Sequence, residues 1–264
     1  MKKYILAVVL IAVLIPVLFF TGCVRVDLAE KNGPLTTQFY DNIGFTGVDV
    51  GSALNLEITP ASTYNVTITA GKNLFDHIHV SQSGSTLKID VTGWTIGWWG
   101  GRNSPKINIS MPVLNYVHLS GASDGTVSGF KSGGDFEANI SGASHCDIDM
   151  ETGNFKAELS GASYLKGRLT ATGSDVTLSG ASDIDLTGSG GDIKLKGSGA
   201  STAALMYYKV NNASVDFSGA SNGSLDIAGR LDVKLSGASD FKYTGNPTMG
   251  EVDISDASDL EHKP

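Results

Sequence analysis

Cysteine is nearly absent from this 264-residue chain, which has only Cys23 and Cys146. A small secreted domain held by disulfides needs more than that, so stability has to come from packing. Proline is scarce at 7 residues, and the 33 glycines follow no every-third period, which excludes a collagen-like or proline-rich rod. Charged residues make up only 17% against 41% hydrophobic, too apolar a mix for a disordered chain. Positive charge is in deficit, with 19 Lys and Arg against 27 Asp and Glu. Lys2 and Lys3 fall in residues 1–22, which carry no acid, so the remainder is more acidic still and repels phosphate backbones. No nucleic-acid partner is expected. After residue 22 no ten-residue stretch has helical apolar periodicity, which leaves β structure.

The N-terminus reads as an address. Met1-Lys2-Lys3 is a short positive segment, Ile5 to Phe20 is apolar apart from Pro16, and Phe20-Thr21-Gly22-Cys23 follows. Small residues before a cysteine resemble a bacterial lipobox, in which the cysteine is lipidated and becomes the new N-terminus. Phe20 stands where that motif usually has leucine. An uncleaved signal anchor and a plain secretory signal are the alternatives, and sixteen apolar residues are marginal for a membrane span. All three readings place the rest of the chain outside the cytoplasmic membrane. The expected partner is therefore the membrane, through a lipid on Cys23. The expected location is the cell envelope or cell surface.

A repeat organises the rest. Ser-Gly-Ala-Ser begins at Ser120, Ser141, Ser160, Ser179, Ser198, Ser218 and Ser236, and Ser-Asp-Ala-Ser at Ser255, with spacings of 18 to 21 residues. The residue before each motif is apolar (Leu119, Ile140, Leu159, Leu178, Phe217, Leu235, Ile254) except Gly197. Two residues further back come Val117, Ala138, Ala157, Val176, Leu195, Val215, Val233 and Val252, separated from the first set by polar residues. Such alternation marks a strand with one buried face. A second short strand follows the motif, as in Asp183-Ile184-Asp185-Leu186, and a Gly-, Thr- or Asn-rich turn closes the unit. About nineteen residues are too few for a βαβ crossover. The pattern predicts an all-β protein, a right-handed parallel β-helix of about eight coils stacked about 4.8 Å apart. Gly121, Gly142, Gly161, Gly180, Gly199, Gly219 and Gly237 are expected to take the positive φ of a sharp bend. The alanines after them, Ala122 to Ala257, are expected to fill an inward corner, and the serines to stack as hydroxyl ladders.

Residues 35–115 are less regular. Phe45 to Ala53 resembles one degenerate copy, and strand-like runs follow at Leu54 to Thr59, Tyr64 to Thr69, Ile78 to Ser81, Thr86 to Thr92 and Lys106 to Met111. An antiparallel or mixed β region capping the first coil is expected, because an open coil end is a sticky sheet edge. Glu261-His262-Lys263-Pro264 would blunt the other end. The division is then a signal peptide at 1–22, a lipidated tether at 23–34, the N-terminal β region at 35–115 and the repetitive β-helix at 116–264. Trp94, Trp98 and Trp99, all the tryptophans of the chain, fall with Arg102 in one Gly-rich segment. They either pack over the end of the core or form a contact for sugar rings or a membrane interface.

In order and spacing, Phe45 to Ala53, Leu56-Glu57-Ile58, Tyr64 to Ile68, Leu87-Lys88-Ile89 and Ile109 to Pro112 leading into Leu119 to Asp124 resemble the auto-transporter adhesin, head GIN domain family. The resemblance runs from about residue 40 to 260. It implies a β-helical extracellular domain, often on a lipoprotein, and brings no catalytic or binding residues with it.

Chemistry finds little support. The residue after each motif is Asp124, His145, Tyr164, Asp183, Thr202, Asn222, Asp240 or Asp259, so only the last two are acids on adjacent coils. A carbohydrate-active β-helix would use such a pair with a basic neighbour, and this is the enzymatic alternative. Of the five histidines only His77 and His79 can share a strand face, too few for a metal site. Cys146 matches inward Leu165, Ile184 and Phe241 and reads as a core thiol. The expectation is a non-enzymatic surface protein with no catalytic residue, metal or cofactor, contacting glycans or envelope proteins. A structural or regulatory envelope lipoprotein with a protein partner is the other reading.

Overall fold

A computed structural model describes residues 33–93 and 104–263. These form two sheets, of twelve and eleven strands, facing each other across one continuous core. From residue 116 onward the chain winds regularly. Each coil places one strand in the eleven-stranded sheet, turns at Ser-Gly-Ala-Ser, and returns along the twelve-stranded sheet. Equivalent residues stack in register, for example Ala138↔Ala157 and Ile140↔Leu159, or Cys146↔Leu165 and Leu165↔Ile184. The eight expected coils are present and all their pairings are parallel.

The N-terminal part adds two more coils, out of chain order. Its strands are β1 (Leu35–Tyr40), β2 (Gly47–Val50), β3 (Asn55–Pro60), β4 (Asn65–Gly71), β5 (Ile78–Ser83), β6 (Thr86–Val91) and β7 (Lys106–Met111). β2 and β3 stack directly on the coil of residues 116–131. β6 and β7 stack on the far side of β2 and β3, so the chain passes outward and then returns over a coil already laid down. Ten coils at about 4.8 Å make a rod roughly 48 Å long. Antiparallel strands close its start, with β5 on β6, β4 on β7 and β1 on β4. The expected antiparallel cap is therefore present. Among the described residues no strand stacks on the last coil, and its inward residues Met249, Val252 and Ile254 are 40%, 46% and 41% exposed.

The bend corrects one expectation. The glycines adopt positive φ, 74–80° from Gly121 to Gly237. They also sit so close to the coil below that a Cβ on Gly142, Gly161, Gly180, Gly199, Gly219 or Gly237 would lie 2.5–2.6 Å from the preceding glycine's carbonyl oxygen. The alanines, however, face solvent. The inward corner belongs to the second serine of each motif: Ser123, Ser144, Ser163, Ser182, Ser201, Ser221 and Ser239 are all at most 1% exposed. A buried hydroxyl needs a partner. Ser123, Ser182, Ser221 and Ser239 donate to the carbonyl of their own motif's first serine at 2.8–2.9 Å, and Ser163 donates to Ile140 at 3.1 Å. Ser201 and Ser221 bond to each other at 3.2 Å, so a hydroxyl ladder is partly formed. A methyl there would take the donor from the first serine's carbonyl, whereas outward alanine needs only its backbone N–H, which donates to the glycine of the coil below.

Gly197, the one break in the apolar pattern, has a packing cause. The ring of Phe217 in the next coil occupies the space of its side chain, 2.9 Å from a Cβ placed there, and also lies against Gly223. Cys146 is 1% exposed in the core, as expected, and burial with the neighbouring Asp147 charge pushes its thiol up to about 12.

Candidate functional site

The residues marked out in sequence are dispersed. Cys23, Trp94, Trp98, Trp99 and Arg102 lie outside the described residues. Asp240 and Asp259 stack in register on the twelve-stranded sheet, exposed, and neither makes an ion pair among the described residues. His79 bonds to Thr92 Oγ1 at 2.6 Å, and no three metal-ligating side chains cluster among the described residues. No described helix is long and apolar enough to cross a membrane.

A long concavity lies at the other bend, the turn that closes each coil. A groove of about 770 Å³ runs along the rod from Asn115 to Asp232, crossing seven coils. It lies between two columns of side chains where the strands of the eleven-stranded sheet begin. The alternation of a strand explains the arrangement: residues i and i+2 point outward as walls while i+1 points into the core. Phe136, Phe155 and Ile193 are these inward residues, and all are at most 2% exposed. They lie beneath the groove, whose exposed surface is more carbon than polar atom.

The column at the turn is Asp135, Asn154, Gly173, Asp192 and Asn212. Its side-chain amide and carboxylate oxygens tie several coils to the next, with a gap at Gly173. Asp135 Oδ1 accepts the backbone N–H of Asn154 at 2.9 Å and its side-chain amide at 3.1 Å. Asp192 Oδ1 accepts the same two donors from Asn212, at 3.1 and 2.9 Å, and Asn212 Oδ1 accepts the N–H of Arg230 at 2.9 Å. These contacts cap the N–H of Asn154, Asn212 and Arg230 where their strands start, a known use of Asp and Asn at turns. At the end of the column Arg230 grips Asp232 at 2.9 and 2.6 Å, and Asp232 accepts the Glu251 N–H at 2.7 Å. The guanidinium and the backbone N–H together hold the Asp232 carboxyl at about 2.

The second column is Glu137, Lys156, Asp175, Lys194, Ser214 and Asp232, each in register with the next. Lys156 is engaged by Glu158 at 2.8 Å and Glu137 at 3.1 Å, and both pairs are exposed and weak in water. Asp175, Lys194 and Ser214, on three successive coils, have no side-chain hydrogen bond or ion pair among the described residues. The lining carries five acids against two lysines.

These groove residues were not singled out by the sequence reading, which followed the Ser-Gly-Ala-Ser end of each unit. A signal was present: Asp135, Asn154, Gly173, Asp192 and Asn212 recur at 19 or 20 residues, in phase with the motif.

Fold and site together define an acidic two-sheet β-solenoid, capped at one end, with a groove lined by five acids and two lysines along its axis. The chain belongs to the family described as "Putative auto-transporter adhesin, head GIN domain", whose model matches residues 44–247. No curated protein matches it in sequence. Among solved structures it is similar to a "putative adhesin" from Parabacteroides merdae, at 15% identity and TM-score 0.81, over 88% of this chain and 98% of that one. It is also similar to a "putative lipid binding protein" from Parabacteroides distasonis, at 16% identity and TM-score 0.80, with the same coverage. A "putative adhesin" from Bacteroides fragilis matches at 19% identity and TM-score 0.64, over 87% of this chain and 97% of that one. Identities this low establish a shared fold.

Proposed function

We propose that this chain is a non-enzymatic, adhesin-like protein of the cell surface, tethered by a lipid on Cys23, whose rigid rod holds an elongated surface polymer in the axial groove. The observation that carries the reading is the groove itself, a continuous channel across seven coils walled by columns of charged and amide side chains. Membership of an adhesin-head family and the signal-like pattern of residues 1–22 ahead of Cys23 support the surface role. Asp240 and Asp259, the acids that a carbohydrate-active reading would pair, lie on the other sheet, outside the groove.

The test uses the mature chain with Cys23→Ser, mixed with surface polymer fractions, beside a Ser214→Trp variant that fills the groove from an exposed position. Co-sedimentation with polymer, lost in Ser214→Trp and without new chain ends, is expected. New reducing ends would make the protein an enzyme, and co-sedimentation untouched by Ser214→Trp would move the contact away from the groove.

A further inference from the structure

We propose that the groove takes a linear, uncharged polysaccharide laid along the rod axis, about one sugar ring per coil. The inference rests on the groove being the contact surface. Four properties of the groove select this class of ligand.

The first is period. The walls repeat every coil, about 4.8 Å, and a stretched chain of six-membered sugar rings advances by close to that length per ring. An extended peptide instead presents same-face side chains about every 6.6 Å, and it falls out of phase with the walls within two coils. Its backbone has no sheet edge to pair with here, because the strands flanking the groove are already bonded on both sides.

The second is mixed surface. With Phe136, Phe155 and Ile193 turned into the core, the groove still exposes more carbon than polar atoms, and charged and amide groups interrupt it at every coil. A sugar ring matches both, because it carries C–H faces as well as hydroxyls that donate and accept.

The third is charge. Five acids against two lysines disfavour a polyanion such as a uronic-acid polymer or a phosphate-linked chain. The fourth is availability. Carboxylate, ammonium and hydroxyl stand on successive coils at Asp175, Lys194 and Ser214, and none of the three has a side-chain partner among the described residues. They offer an acceptor, a donor and a group that does both, at one-coil intervals. With no aromatic platform in the walls, each ring adds only a modest hydrogen-bonding increment, so affinity has to accumulate along the chain.

That last point gives the test. The mature Cys23→Ser chain is titrated calorimetrically with oligomers of cellulose, xylan, mannan and chitin, from disaccharide to octasaccharide, and with polygalacturonate and oligolysine. At least one uncharged series is expected to tighten with each added ring to about the hexasaccharide and then level off. Ser214→Trp and Lys194→Gln are expected to weaken it about tenfold or more with unchanged melting temperature. If no uncharged series binds, or polygalacturonate or oligolysine binds more tightly, the ligand class is wrong. Provided Ser214→Trp still abolishes co-sedimentation with surface polymer, the groove assignment then survives. Co-sedimentation indifferent to Ser214→Trp would remove the groove assignment and this inference together. Binding that does not depend on length would refute the one-ring-per-coil register.

Discussion

Replacing Gly180 with alanine separates the roles of the two small residues at the bend. Gly180 has φ of 75°, and a Cβ there would stand 2.6 Å from the Gly161 carbonyl oxygen and 3.1 Å from its nitrogen. That oxygen already accepts the Ala181 N–H at 2.7 Å, and Gly180's own carbonyl accepts the Ala200 N–H at 2.7 Å, so neither coil can move aside without lengthening a ladder bond. Left-handed backbone costs an L-residue about 1–2 kcal/mol. Forcing a carbon into occupied space adds about 1–3 kcal/mol. The expected loss is about 2–5 kcal/mol, a drop in melting temperature of roughly 4–20 °C for a domain of this size. Next to it, Ala181→Gln projects into solvent and should stay within about 0.5 kcal/mol of the parent. Thermal and urea unfolding followed by far-UV circular dichroism would compare the pair. Gly180→Ala as stable as the parent, or Ala181→Gln equally damaging, would refute the account of the bend.

Four further outcomes are expected. Phe217→Ala removes the ring that fills the space beside Gly197 and Gly223, and should cost about 3–5 kcal/mol in urea unfolding; a smaller loss would mean the coils collapse onto the gap. Cys146, buried with its thiol at about 12, should resist a disulfide reagent at mildly alkaline pH until denaturant is added, and stoichiometric labelling of the native protein would contradict its placement. Asp232 is held at about 2 in the folded state, below the usual carboxylate value of about 3.9. Its contribution is therefore present above the ordinary value and lost as pH falls through about 2. Carboxyl chemical shifts should show Asp232 still ionised near pH 3, and Arg230→Gln should raise its midpoint. Cys23→Ser should abolish incorporation of labelled palmitate in cells and release the protein from membranes, whereas unchanged membrane retention would favour an uncleaved anchor.

Much of this architecture can be read from the chain because a stacked coil repeats its physics. Ser-Gly-Ala-Ser at 18–21 residues, with Val176 and Leu178 or Val233 and Leu235 before it, specifies one strand, one bend and parallel stacking. Pattern could not tell which small residue of the motif turns inward, since Ala and Ser differ little in size. The decision rests on hydrogen bonds that only the fold supplies, such as Ser182 to the Ser179 carbonyl. Nor could pattern give the order of the first coils. β2 and β3 precede β6 and β7 in sequence but lie inside them in the stack, an arrangement fixed by long-range pairing such as Val48 between Leu87 and Val117. The groove was hidden for a related reason. Its walls mix Asp, Asn, Lys, Ser and Gly, which read singly as ordinary turn and surface residues. Stacking alone turns them into columns.

Lysine footprinting tests the binding account most directly. Lys194 lines the groove, while Lys166 and Lys242 are exposed on the opposite sheet. Acetylation rates at these three positions would be measured by mass spectrometry with and without saturating surface polymer. The account predicts slowed acetylation of Lys194 and unchanged rates at Lys166 and Lys242. Equal rates at Lys194 in both conditions, or protection confined to Lys166 and Lys242, would contradict it.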